Sequence, residues 1–281
     1  DVADIKDAFI ENMKDINVGS QKGLAMNFDH TVGGGTVLIP YGGKYHLSPS
    51  EGMVAKIPVL EGNTNTCSIM TYGYEPKISK WSPFHGGFYA VIESLAKIVA
   101  LGGDYRKARL TFQEYFEKLG DNKSKWGKPL SALLGAYLVE KQLDIPSIGG
   151  KDSMSGTFED IDVPPTLISF AVVADKVQNI VSNEFKEIDN NVVLIPLHID
   201  ENGLIDFNQL KLNYTRIKEL VDRGFIKAAQ TVKHGGIARS ISEMSFGNMI
   251  GFKFASVDRE RLFKPLFGSI VLEIPKKHDL E

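Results

Sequence analysis

Cysteine occurs once in the 281 residues, at Cys67. The chain alone can therefore form no internal disulfide and no cysteine zinc cluster, and a reducing, cytoplasmic setting is expected. A basic excess is missing too: 32 Lys and Arg stand against 35 Asp and Glu, for a net charge of −3 and a pI near 6.1. A broad basic face for nucleic acid is not expected. Local basic runs such as Lys123-Ser124-Lys125 sit among acids and read as solvated surface. No apolar run reaches the ~20 residues that span a bilayer, and no secretory signal is visible at the start. Tandem repeats, low-complexity segments, a Walker loop, a GxGxxG and a Ser/His/Asp order are all absent from the sequence. The opening Asp1-Val2-Ala3-Asp4 lacks Met, and Lys276-Lys277-His278-Asp279 near the end is charged, so both ends read as cuts in a longer protein.

What is present is an ordinary globular composition, 43% hydrophobic and 24% charged, with 27 glycines. That is ample material for a core, in one large domain or two moderate ones. Ile5, Ala8, Phe9 and Met13 are helically spaced and predict a helix within 1–16. Thr36–Pro40, Met53–Ile57 and Cys67–Tyr72 predict strands, with a loop from Ser79 to Phe84. Cys67 itself reads as a small core residue rather than a nucleophile. Ser82-Pro83 starts a strong helix, apolar at Phe88, Val91, Ile92, Leu95, Ile98 and Val99, that stops at Gly102-Gly103. Further helices are expected over 111–119, Leu130–Glu140, 207–223 and Ile237–Phe246. Further strands are expected at Thr166–Val173, Val192–Leu197, Ala228–Val232 and Phe267–Ile274. A polar stretch at 175–190 marks a boundary.

Three glycine turns offer places for chemistry: Gly33–Gly35, Gly149-Gly150 and Gly235-Gly236. The richest is Gly149-Gly150-Lys151-Asp152-Ser153-Met154-Ser155, expected as a loop. Glycines let backbone N–H groups approach an anion, Lys151 adds a mobile positive charge, and Asp152 suits Mg²⁺ or a donor on the ligand. An ordinary turn is the competing reading. Gly235-Gly236 opens a helix whose amides and dipole favour an anion, or it is a tight turn without a ligand. Glu93 is a candidate Mg²⁺ ligand; alternatively it forms a surface ion pair with Lys97, four residues on. His85 and His30 are loop histidines, either acid–base groups or plain surface residues.

Together, Gly149–Ser155, Asp29-His30-Thr31-Val32-Gly33-Gly34, Arg109-Leu110-Thr111-Phe112-Gln113-Glu114, and His234-Gly235-Gly236 with Glu243-Met244 resemble the phosphoribosylformylglycinamidine synthase family. That family shares its fold with aminoimidazole ribonucleotide synthetase. The resemblance runs over nearly the whole chain and points to the second half of the family's synthetase core. It implies an α+β fold: an N-terminal-type domain over 1–178, whose sheet pairs with its pseudo-twin into a barrel, then a partial C-terminal-type α/β domain over 188–281.

The resemblance also implies an activity. ATP would phosphorylate the amide oxygen of formylglycinamide ribonucleotide, and ammonia from glutamine would displace the phosphate. ATP and Mg²⁺ are the implied cofactors of the intact enzyme. The implied partners are a phosphorylated small molecule, the first synthetase half and a glutaminase domain, with neither nucleic acid nor membrane. Gly149, Gly150, Lys151, Asp152 and Ser153 become the substrate or phosphate contacts. Glu93, Lys97, His234, Gly235 and Gly236 mark an auxiliary nucleotide site, with Glu93 its one remaining metal ligand. Lys97 stands where Asn is expected, His234 where Asp is expected, and Thr66 aligns loosely with a further acid. That site is therefore expected to be weakened or empty. Alternatives are a structural half that binds nothing, or another ATP-dependent synthetase or kinase of the superfamily. An isolated half would leave a barrel edge open, and a homodimer is expected.

Overall fold

A computed structural model describes residues 4–27, 33–255, 258–259 and 261–276. Asp29, His30, Thr31 and Val32 of the second motif, and the charged Lys277-His278-Asp279, lie outside the described residues.

Six strands form the large sheet: β1 (Thr36–Leu38), β2 (Met53–Lys56), β3 (Thr66–Gly73), β4 (Arg109–Tyr115), β5 (Ser147–Ser153) and β6 (Thr166–Lys176). Their order is β1-β2-β3-β6-β4-β5. Every neighbouring pair is antiparallel except β4 and β5. Side-chain alternation sets the inward face: Cys67, Ile69 and Thr71 on β3, and Leu167, Ser169, Ala171 and Val173 on β6, are buried. Among the described residues this sheet stays open, with β1 and β5 at its edges and no closed barrel. A three-stranded antiparallel sheet follows, of β7 (Asn191–Ile195), β8 (Ala228–Thr231) and β9 (Ile270–Ile274), with β9 central.

The inward face of the large sheet is covered by helices. After α1 (Ile5–Lys14) come α2 (Pro76–Trp81), α3 (Pro83–Ala100) and α4 (Lys123–Leu143). Ser82 caps α3 by accepting from the His85 amide, and Pro83 occupies its first turn. Phe88, Ile92, Leu95 and Ile98 of α3 are fully buried, each worth roughly 1.5–3 kcal/mol. The α3–α4 crossing is close because two glycines allow it. A side-chain carbon at Gly87 would come within 2.1 Å of the Ala132 carbonyl oxygen, and one at Gly135 within 1.9 Å of the Phe84 carbonyl oxygen. Two more helices, α5 (Phe207–Asp222) and α6 (Gly236–Phe246), belong to the later part of the chain. One apolar cluster runs from Ile69 and Leu95 through Tyr214 and Leu220 to Ile270 and Leu272.

The α+β expectation agrees with this mixed architecture, but three local expectations do not. Where a helix is expected over 111–119, residues through Tyr115 are strand β4 and 116–119 are irregular. Leu110, Phe112 and Glu114 are its inward residues, and an inward Glu hides the two-residue period. The loop expected at Gly149–Ser155 is mostly strand β5, which has no alternating apolar side chains to announce it. The loop expected from Ser79 to Phe84 contains the end of α2 and the start of α3. α4 also starts seven residues before the predicted Leu130.

Candidate functional site

A cleft of about 150 Å³ opens where the end of β3, the middle of α3 and the start of α6 meet. Its walls include Tyr72, Tyr74, Glu93, Lys97, His234 and Arg239. Sequence positions more than 140 residues apart are thus brought together by the α3–sheet packing and by the turn from β8 into α6.

Electrostatically the cleft is self-neutralising. Lys97 Nζ lies 2.7 Å from Glu93 Oε1, and both side chains are buried. The same ammonium donates to the Tyr72 carbonyl at 2.8 Å and stands 4.4 Å from the centre of that ring. The other oxygen, Glu93 Oε2, accepts the Tyr74 amide at 3.2 Å. Burial works against a charged Lys97, yet the Glu93 and Glu51 carboxylates outweigh it and hold the ammonium above its ordinary range. This is not the solvated surface pair expected at 93 and 97. Lys233 reaches Glu51 at 3.2 Å, and Thr231 donates to the same carboxylate at 2.6 Å. Despite burial, Lys233 and Lys97 hold Glu51 below the usual carboxylate range. Arg239 donates to Glu243 at 2.7 Å and to the carbonyls of Asn17 and His234. Every cation of the inner wall faces an acid.

His234 is 3.3 Å from Asp15 and 3.2 Å from Lys77. Gly235 and Gly236 take positive φ of 91° and 66°, a conformation natural to glycine. Two amides of this helix start are engaged: Gly236 N–H donates to the Lys233 carbonyl and Ala238 N–H to the Leu262 carbonyl, each at 2.9 Å. Val18 packs on Gly235, whose carbonyl accepts Asn12 Nδ2 at 3.1 Å.

A divalent cation does not fit this donor set. Glu93 supplies one carboxylate and Lys97 already neutralises it; among the described residues no group of three His, Cys, Asp or Glu side chains could hold a metal ion. Thr66 lies at the far end of β3, where its hydroxyl accepts from Lys176 Nζ at 3.0 Å.

Gly149 to Ser153 stand apart from the cleft. β5 lies three strands from β3, roughly 14 Å at the usual strand spacing. Its residues through Asp152 are exposed. Gly150 has a packing reason: a side-chain carbon there would meet the Phe112 carbonyl oxygen at 2.6 Å. The parallel register sets Lys151 beside Gln113 and Asp152 beside Glu114. Consecutive strand residues face opposite ways, so the lysine and the aspartate serve different faces of the sheet. His85 is anchored, Nδ1 to Ser82 Oγ at 2.8 Å and Nε2 to the Asn202 carbonyl at 2.9 Å.

Sequence reasoning missed Glu51, Lys233, Arg239 and Glu114. The i,i+4 spacing of Arg239 and Glu243 on a predicted helix was a usable signal. Glu51 and Glu114 gave none without the strand pairing.

The fold is similar to that of several solved proteins. Solved structures with similar architecture include Thermotoga maritima PurL complexed with ATP (TM-score 0.66, 12% identity, 97% of this chain and 44% of that one). Thiamine monophosphate kinase from Aquifex aeolicus (0.53, 12%, 79% and 85%) is similar too. So is a chain of the HypE–HypF complex (0.56, 14%, 91% and 84%). No family model matches the chain. By sequence it is similar, across nearly its whole length, to the PurL subunit of phosphoribosylformylglycinamidine synthase. Identity is 23% with that of Thermoplasma volcanium over 99% of this chain, and 25% with that of Pelagibacter ubique over the same share. The chain spans about two fifths of these relatives' length, 39% in both cases. The resemblance drawn from the motifs therefore stands. Among the described residues no helix is long and apolar enough to cross a membrane.

Proposed function

We propose that the chain is part of an ATP-dependent ligase of purine synthesis. That ligase converts formylglycinamide ribonucleotide, glutamine and ATP to formylglycinamidine ribonucleotide in the cytoplasm. The observation that carries this reading is the match to PurL over 99% of the chain. Fold neighbours solved with ATP and with FGAR support it. In this reading residues 1–178 and 188–281 are the two domains of the second synthetase half. The first half and a glutaminase domain are its partners, and Mg²⁺ serves the nucleotide outside the Glu93 cleft. ATP supplies the phosphoryl group that activates the amide oxygen. The residues here that would meet the phosphorylated substrate are Gly149 to Ser153, with Lys151 offering an ammonium on one side of this edge strand and Asp152 an acceptor on the other.

A second reading is a structural half that holds the active half in shape and binds no nucleotide itself. The buried Glu93–Lys97 pair and the engaged amides at Gly236 and Ala238 favour it. Calorimetric titration separates the two. The ligase reading expects binding of formylglycinamide ribonucleotide to this chain in the presence of its partner half, weakened at least tenfold by Lys151→Ala. No heat with substrate or Mg-ATP, with or without the variants, would leave the structural reading.

A further inference from the structure

Glu114 is a buried acid that the cleft does not use. Its side chain is 1% exposed, and neither carboxyl oxygen meets a hydrogen-bond donor among the described residues. Across the ladder on β6 stands Leu167, which brings no charge. Across the ladder on β5 stands Asp152, directly opposite in the parallel register. Two carboxylates so placed repel, and a buried carboxylate without a donor is costlier still. One proton resolves both problems. As a neutral acid, Glu114 would have an O–H to offer the Asp152 carboxylate, a charge-assisted bond in place of a repulsion. Burial first, and the Asp152 charge second, push the Glu114 carboxyl up to about 8. Among the described residues no cationic side chain opposes them.

The position gives this proton a use. β5 is an edge strand, held by β4 alone in the large sheet. Among the described residues, the Glu114–Asp152 pair therefore sits on the only ladder that fastens the strand. Asp152 is exposed while its partner is not, so one carboxyl faces solvent and the other backs it.

We propose that Glu114 is a positioning residue, kept as the neutral acid, that orients the Asp152 carboxylate of the edge strand toward a hydroxyl or N–H donor of a bound metabolite and makes that binding proton-linked. The identity of the metabolite rests on the ligase reading above; the shared proton does not. Above the neutral range Glu114 loses its proton, the two carboxylates repel, and β5 loosens along with the acceptor it carries.

Infrared spectroscopy of the full chain tests the proton. A protonated-carboxyl band is expected at neutral pH, disappearing as pH rises through about 8. It should be absent in Glu114→Gln and should titrate at lower pH in Asp152→Asn, a substitution at an exposed position that leaves the core intact. No such band at neutral pH, or a band indifferent to Asp152→Asn, would overturn the proposal. Calorimetry with formylglycinamide ribonucleotide, in the presence of the partner half, tests the linkage. Binding should weaken several-fold between about pH 7 and pH 9, and Glu114→Gln, which still donates to Asp152, should bind with that dependence flattened. Unchanged pH dependence in Glu114→Gln counts against positioning. An infrared band that behaves as described, with no binding at any pH, sinks the ligase reading and leaves the proton-sharing pair.

Discussion

Lys97 illustrates what a single side chain decides. Its ammonium is buried against Glu93, the Tyr72 carbonyl and the Tyr72 ring. Removing one partner of such a pair leaves an uncompensated buried charge, which costs about 3–5 kcal/mol, whereas replacing both by apolar groups is far milder. Lys97→Met should therefore lower the urea midpoint sharply, and Glu93→Met with Lys97→Met should recover most of the loss; equal losses in single and double variants would refute the coupling. Glu114 acts on stability in the opposite sense to an ordinary carboxylate. Its value is raised from 4.5 in the unfolded chain to about 8 in the folded one. The folded state thus holds the extra proton, and its contribution is complete below about pH 4.5 and lost as pH climbs through about 8. The slope is at most about 1.4 kcal/mol per pH unit. Urea unfolding across that window should show the decline in the parent chain and a flatter profile in Glu114→Gln.

At the scale of elements, the α3–α4 crossing gives a sharp contrast between glycines. Gly135→Ala forces a carbon toward the Phe84 carbonyl at 1.9 Å and should cost roughly 1–3 kcal/mol or more. Gly149→Ala meets nothing within 4 Å and should stay within about 0.5 kcal/mol; thermal unfolding of the two variants checks both. The same elements show what was legible. α3 could be read because Ser82 and Pro83 announce its start and its apolar residues keep a helical period. β3 and β6 could be read from their β-branched and apolar runs. β4 could not, because its inward Glu114 is stabilised by a neighbour on another strand rather than by apolar packing. β5 could not, because Gly149 and Gly150 carry no strand preference and its pairing partner lies more than thirty residues earlier. The candidate cleft was half legible: Glu93, Lys97 and His234 were named, while Glu51 and Lys233 became visible only once β8 was set beside the turn after Pro49.

For the whole molecule, helices cover one face of the large sheet and leave the other open. Met70 of β3 and Tyr115 of β4 are exposed there, at 42% and 40%. An open sheet with partly apolar residues and unpaired edges invites association. A symmetric pair of chains is the expected outcome, isologous if closed. Light scattering at tens of micromolar should report twice the 31.0 kDa chain mass; monomer alone would count against it.

The leading helix is the chain's latch. Asn12, Asp15, Asn17 and Val18 lie within its short reach, yet they touch Gly235, His234 and Arg239 from the opposite end of the sequence. Shortening the polypeptide from its front would therefore do more than remove a tail. It would unclasp the beginning of α6 and bare the Gly235 carbonyl and an arginine that are now shielded, so a trimmed version would report on a different surface from the one described above.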